Sequence, residues 1–186
     1  IPFDPVTVSV PGGLQNDDLY SDVIDLPFTF CYFGNASNQL VIGGNGDISF
    51  DVTLANQFNP WAFTDDVPSA NLPSGGIFGA YHDMDISVSG TISYGVTGTA
   101  PFRAFVVNYD VAHFSCNGLT TRQQIVLHET SNFIDVYIYD KPVCTTWNGG
   151  NAVIGIQNIG GTIGYAAPGR NTSDSPWTAT NEAWRF

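Results

Sequence analysis

The chain has 186 residues, enough for one domain with a full hydrophobic core, since all-β sandwiches can reach about 200 residues without dividing. Seventeen acidic residues face five basic ones, for a net charge of −12. With a single lysine there is no basic stripe for phosphates, which argues against nucleic acid and anionic membrane surfaces and leaves neutral partners, cationic partners or a divalent metal.

Only Glu129 and Glu182 are glutamates, so aspartate is the working acid. Asp suits turns and oxygen-ligand metal sites, whereas the Glu and Lys that dress exposed helices are nearly missing, and this composition argues against a helical protein. In chain order the predicted strands are Val6 to Val10, Leu26 to Phe33, Gln39 to Ile42, Asp47 to Phe50, Gly76 to Tyr81 and Gly90 to Val96. Arg103 to Val111, Arg122 to Glu129, Asn132 to Asp140, Ala152 to Gln157 and Thr162 to Ala166 follow. Phe105, Val107, Tyr109 and Val111 share one face of their segment, and Ile134, Val136 and Ile138 share one face of theirs. This period of two predicts half-buried strands.

Glycine-bearing turns separate the strands: Pro11-Gly12-Gly13, Gly44-Asn45-Gly46, Ser74-Gly75-Gly76, Asn148-Gly149-Gly150 and Gly160-Gly161. About ten short strands joined this way predict an all-β fold, an antiparallel β-sandwich with minimal helix, as one module over residues 1–186. Ala55 to Pro73 lacks alternation and reads as a packed loop with at most a helical turn. The closing Glu182-Ala183-Trp184-Arg185-Phe186 is strand-like. There is no apolar run of about 18 residues, no signal segment and no initiator Met at Ile1, so the chain reads as a mature piece excised from a longer multidomain protein.

Three cysteines, Cys31, Cys116 and Cys144, lack metal-knuckle spacing, and an odd count leaves one unpaired. Cys116 closes one strand-like run and Cys144 follows another, which can place both at the same end of neighbouring strands. A bridge there would stabilise by roughly 3–4 kcal/mol and would place the protein outside the reducing cytoplasm. Cys31, inside Phe28-Thr29-Phe30-Cys31-Tyr32-Phe33, is expected to pack as a buried thiol.

An ordered series runs through the middle and end of the chain: Gly76-Ile77-Phe78-Gly79-Ala80-Tyr81-His82-Asp83-Met84-Asp85, then Gly90-Thr91-Ile92-Ser93-Tyr94 and Phe105-Val106-Val107-Asn108-Tyr109. Gln124-Ile125-Val126-Leu127, Ile134-Asp135-Val136-Tyr137-Ile138 and Gly150-Asn151-Ala152-Val153-Ile154-Gly155-Ile156-Gln157 complete it. The series resembles a nidogen-type extracellular domain. Tyr81-His82 stands where that family usually has Phe-Trp, and Tyr109 stands where it has Trp. Leu26 to Asn35 and the ending from Pro168 to Phe186 are most similar to bacterial versions in very large surface proteins of gliding Bacteroidota. The resemblance implies a secreted β-sandwich module of a cell-surface protein, exported by the type IX route, with neighbouring domains of the same polypeptide as partners and no enzymatic activity.

The densest chemistry lies in Tyr81-His82-Asp83-Met84-Asp85-Ile86-Ser87. At the exit of a strand, Asp83 and Asp85 fall on the same side and could serve as Ca²⁺ ligands, with Asp47, Asp51, Asp65 and Asp66 as distant contributors, or could cap turns. His82 and His113 could enter a hydrolytic triad, yet there is no Gly-x-Ser-x-Gly elbow and no His-Glu-x-x-His helix, so the histidines are read as structural. Trp147 and Trp177 look loop-borne and could stack on a glycan, with core packing as the alternative. Three functions remain open: an adhesion or display module, a carbohydrate-binding module of a polysaccharide-degrading enzyme, and a structural spacer in a filament or stalk.

Overall fold

A computed structural model of the chain describes residues 1–7 and 17–186. Among these residues, twelve strands make two six-stranded antiparallel sheets. The first sheet runs β1 (Val6–Thr7), β6 (Gly90–Thr97), β7 (Ala104–Ala112), β8 (Thr120–His128), β9 (Ile134–Lys141), β12 (Ala179–Arg185). The second runs β11 (Gly164–Ala166), β10 (Val153–Gln157), β5 (Gly76–Tyr81), β4 (Asp47–Ser49), β3 (Asn35–Ile42), β2 (Ile24–Tyr32). The expected sandwich is therefore present, with only short 3-10 turns as helix. The rest of the predicted Val6 to Val10 strand and the Pro11-Gly12-Gly13 turn lie outside the described residues.

Side-chain alternation builds the layer between the sheets. Along β2, Ile24, Leu26, Phe28, Phe30 and Tyr32 are buried while Asp25, Pro27, Thr29 and Cys31 face outward. These five meet Phe105, Val107, Tyr109 and Val111 of β7 and Ile125 and Leu127 of β8 in one apolar cluster. Cys31 is consequently exposed, not a buried thiol as expected. The aromatic density around it concealed a strict period of two, in which Phe30 and Tyr32 take the inner face.

Two strands expected to be half-buried are covered more fully. Ala104 and Val106 of β7 are buried on the outer face beside Val126, under Phe3 and Tyr137. On β9, Asp135 is buried together with its apolar neighbours. The loop from residue 55 to 73 does for the second sheet what Phe3 does for the first: Phe63, Val67 and Leu72 cover Phe78, Tyr81 and Val153. Gln157 holds that loop in place, since its Oε1 accepts from the Ser69 amide and its Nε2 donates to the Ser69 and Pro73 carbonyls at 3.0 and 2.9 Å. All six residues of β5 are buried as a result.

Hydrogen bonds also cross the layer. Tyr109 Oη donates to the Asp47 carbonyl at 2.7 Å, linking β7 to β4. Gln123 of β8 accepts from the Ala80 amide of β5, a second link between the sheets. Gly79 leaves room for that amide, because a Cβ there would meet Gln123 Oε1 at 2.5 Å.

Cys116, after β7, is joined to Cys144, after β9, with Cα atoms 6.0 Å apart, as the strand pattern anticipated. The two strands flank β8, so the bridge ties one end of the first sheet across three strands. Replacing both with serine is expected to cost about 3–4 kcal/mol, from the loop entropy released to the unfolded chain, and to lower the melting temperature by about 10 °C. A thermal melt that moved by no more than about 2 °C would remove the bridge as a stabilising constraint.

Candidate functional site

The chemistry gathers at one end of the sandwich, around the turn joining β3 to β4. Asn45 in this turn is fully buried, so each polar group of its amide needs a partner. Its Nδ2 donates to Asp18 Oδ1 at 2.9 Å and to the Asn59 carbonyl at 3.2 Å, and its Oδ1 accepts from the Met84 amide at 2.9 Å. Its backbone amide donates to Asn59 Oδ1 at 2.8 Å, and its carbonyl accepts from the His82 amide at 3.1 Å. One residue thereby binds three stretches of chain, around residues 18, 59 and 82–84. Gly46 makes the turn possible, with φ +91 and a missing Cβ that would otherwise meet the Ala80 carbonyl at 2.9 Å.

Below the turn, Asn59 Nδ2 and Tyr20 Oη donate to the buried Asp47 carboxylate at 3.0 and 2.7 Å. Burial raises the Asp47 carboxyl to about 7, against the lowering effect of those two donors. Asp47 is thus occupied within the polar core. Asp51 accepts from Thr53, Asp65 from Ser69 and Asn71, and Asp66 from the Ser173 amide. None of these four contributes to a site with Asp83, contrary to the expectation from sequence. Each satisfies a donor of its own loop or of the segment packed on it.

Asp83 instead meets Asp17 and Asp18, with one carboxylate oxygen of each lying within 4.8 Å of the others. Trp147 Nε1 donates to Asp83 Oδ2 at 2.6 Å, while Asp83 Oδ1 is buried without a hydrogen-bond partner. Asp85 is the turn cap that its sequence position allowed. Its Oδ1 accepts from the amides of Ser87 and Val88 at 2.9 and 3.2 Å. Its charge still acts on the cluster. Burial raises Asp17 to about 7, reinforced by Asp18, Asp85 and Asp83. Burial likewise lifts Asp83 to about 7, with Trp147 opposing and Asp18 and Asp85 reinforcing. Asp18 is raised by burial, against the Asn45 hydrogen bond and with the help of Asp85.

Behind Asp83 lies a small cavity of about 20 Å³, near the size of one water, whose walls include His82, His113, Lys141 and Cys144. His82 Nδ1 faces the Asp83 carbonyl at 3.1 Å, which can only accept, so Nδ1 carries the proton. His82 Nε2, 2.9 Å from Thr121 Oγ1, must then accept the hydroxyl proton, and Thr121 in turn accepts from His113 Nε2 at 2.8 Å. Burial holds His82 well below the usual imidazole range, helped by His113 and Lys141. His113 is lowered to about 4 by burial and by Lys141. Two neutral imidazoles thus share one fully buried hydroxyl, that of Thr121.

The two tryptophans singled out in the sequence lie apart. Trp147 is half-buried, with Trp61 and Phe114 rings 5.5 and 4.7 Å away, and its indole serves Asp83. Trp177 is buried, donates to the Ala152 carbonyl at 3.1 Å, and carries Lys141 Nζ 4.3 Å from its ring. Of the two readings open for Trp177 it takes core packing, since at 7% exposed it offers a glycan no stacking face. The Asp17-Asp18 doublet and Lys141 went unnoticed in the sequence. Adjacent acids were visible there, but no spacing rule connects them to Asp83.

Two antiparallel sheets and the Cys116–Cys144 bridge define the class as a disulfide-bridged β-sandwich domain. The family model described as NIDO related matches residues 2–185, and the chain belongs to that family. No curated protein and no solved structure matches it. Among the described residues, no helix is long and apolar enough to cross a membrane.

Long-range ¹⁵N spectra at pH 6 should show His82 as the Nδ1–H tautomer and His113 as the Nε2–H tautomer. A doubly protonated ring at either position would break the relay. Lys141 supplies a second test. It is buried, with Nζ donating to the Trp177 carbonyl at 2.9 Å, and burial followed by the Arg170 charge lowers it from 10.5 to about 7. Between those values the unfolded chain holds a proton that the folded one has released, so Lys141 makes stability climb as pH rises from 7 to 10.5. Lys141→Met should flatten that climb and be about 1–3 kcal/mol more stable than wild type at pH 7 by denaturant unfolding. A less stable variant would show instead that the ammonium is well compensated.

Proposed function

We infer that the domain is a non-catalytic module of a larger extracellular cell-surface polypeptide and serves adhesion or surface display. The observation that carries this reading is a groove of about 760 Å³ on the outer face of β7, β8, β9 and β12. Asn108, Gln124, Tyr137, Tyr139, Asn181 and Glu182 line it; Gln124 is bonded to Ile1 and Asn108, Tyr137 to Asp135 and Glu182 to Arg170, so the Tyr139 ring and the Asn181 amide are what the groove offers a ligand. Such a lining suits a neutral or cationic ligand held by hydrogen bonds and ring packing. Membership of the NIDO-related family supports the extracellular setting, and the disulfide is consistent with it.

The carbohydrate-binding reading has one specific support. Tyr139 is 60% exposed, with the Arg122 guanidinium 4.5 Å from its ring, and so offers the stacking surface that Trp177 does not. Beads carrying the domain are expected to retain cells or glycan-coated surfaces under flow, and Tyr139→Ala with Asn181→Ala to lower retention about tenfold. Selective, saturable binding on a glycan array, lost in the same variant, would favour the carbohydrate module. Steady turnover of polysaccharides or peptides that vanished in Asp83→Ala would replace the reading with an enzymatic one.

A further inference from the structure

We propose that Asp17, Asp18 and Asp83 form a binding site for a hard divalent cation, with Ca²⁺ as its occupant, independent of the groove on the first sheet. The geometry is that of a coordination sphere. Oxygens bound to Ca²⁺ at about 2.3–2.6 Å lie up to about 5 Å from one another, and the three carboxylates have oxygens within 4.8 Å.

The state of Asp83 points independently to a ligand. The residue is only 7% exposed, and its Oδ1 is buried with no donor among the described residues. An anionic oxygen stripped of water without compensation is costly, and a bound cation supplies that compensation.

Among the described residues no cationic group is directed to this cluster, the Ile1 amine donating to Gln124 instead. Arg103 pairs with Glu129, Arg122 with Asp140, Arg170 with Glu182 and Arg185 with Asp135. Lys141, the remaining basic residue, directs Nζ to the Trp177 carbonyl. Among the described residues the acidic cluster receives neutral donors: the Asn45 amide, the Trp147 indole and the Asp18 backbone N–H.

Donor chemistry selects the ion. All three groups are carboxylates, and the nearest imidazole, His82, has both nitrogens committed to the Asp83 carbonyl and to Thr121, which disfavours Zn²⁺ and its neighbours. The ligands come from a loop and a strand exit of unrelated geometry, and Asp17 and Asp18 are half-exposed, leaving positions for water. An irregular sphere of this kind fits Ca²⁺ better than Mg²⁺, which demands near-ideal octahedra. Asp85 sits outside the cluster as a turn cap and adds attraction at longer range.

The test uses the domain stripped with chelator and titrated with CaCl₂ by calorimetry, and with Tb³⁺ under indole excitation. One saturable Ca²⁺ site is expected, with a melting temperature about 5–10 °C higher in excess Ca²⁺ than in chelator. Tb³⁺ emission sensitised by Trp147 should fall severalfold in Trp147→Phe while Ca²⁺ binding persists. Asp83→Asn and Asp17→Asn should each weaken Ca²⁺ at least tenfold, and Asp85→Asn by only a few-fold. If Asp83→Asn does not fold, Asp17→Asn decides, since its only hydrogen bond among the described residues is with its neighbour Asp18. No heat of binding together with an unshifted melt in the wild type would overturn the site. Undiminished affinity in folded Asp17→Asn would overturn the ligand set, and equal affinity for Mg²⁺ the choice of ion.

Discussion

The amide of Asn45 satisfies all its hydrogen bonds only when the Asp18 loop, the Asn59 loop and the exit of β5 converge on the β3–β4 turn. A buried primary amide missing one partner costs about 1–3 kcal/mol, so the turn acts as a latch that is fully closed or expensive to open. The aspartate cluster, the Tyr20–Asp47–Asn59 network and the histidine relay are all placed by this convergence. Gly46 and Gly79 are its steric conditions, since a side chain at either would collide with the atoms that complete it.

Charge organises the rest of the surface by a simple shortage. Every basic side chain is engaged, four in ion pairs and one in a carbonyl hydrogen bond, so most of the seventeen acids have no intramolecular counterion. On the open surface water and salt screen that excess at little cost. At the mouth of the latch, where Asp83 is buried, they cannot. The same imbalance gives the proposed cation site its local demand for positive charge.

Much of the fold was legible in the chain because a sandwich writes its period into its strands. Ile24 to Tyr32 alternates without a break, and β7 and β9 place the expected residues on the inner face. Where the reading failed, a second layer was responsible. Val106 and Asp135 are buried because an amino-terminal segment and neighbouring side chains cover the outer face, which no local period reveals. Trp177 reads as loop-borne beside Pro176, yet the packing of Lys141 and Arg170 against its ring makes it core.

By itself the sequence determined the all-β class and the place of Asp83 at a strand exit, and allowed the Cys116–Cys144 pairing, since alternation, glycine turns and strand ends are local properties of the chain. Only the tertiary structure decided which acids meet Asp83. Asp85, its neighbour by period, is claimed by the amides of its own turn. Asp18, distant along the chain, arrives because Asn45 must bury its amide against it, and Asp17 comes with its neighbour. Local hydrogen-bond geometry determines what a residue can cap, but only the closing of the core determines which charges must share a pocket.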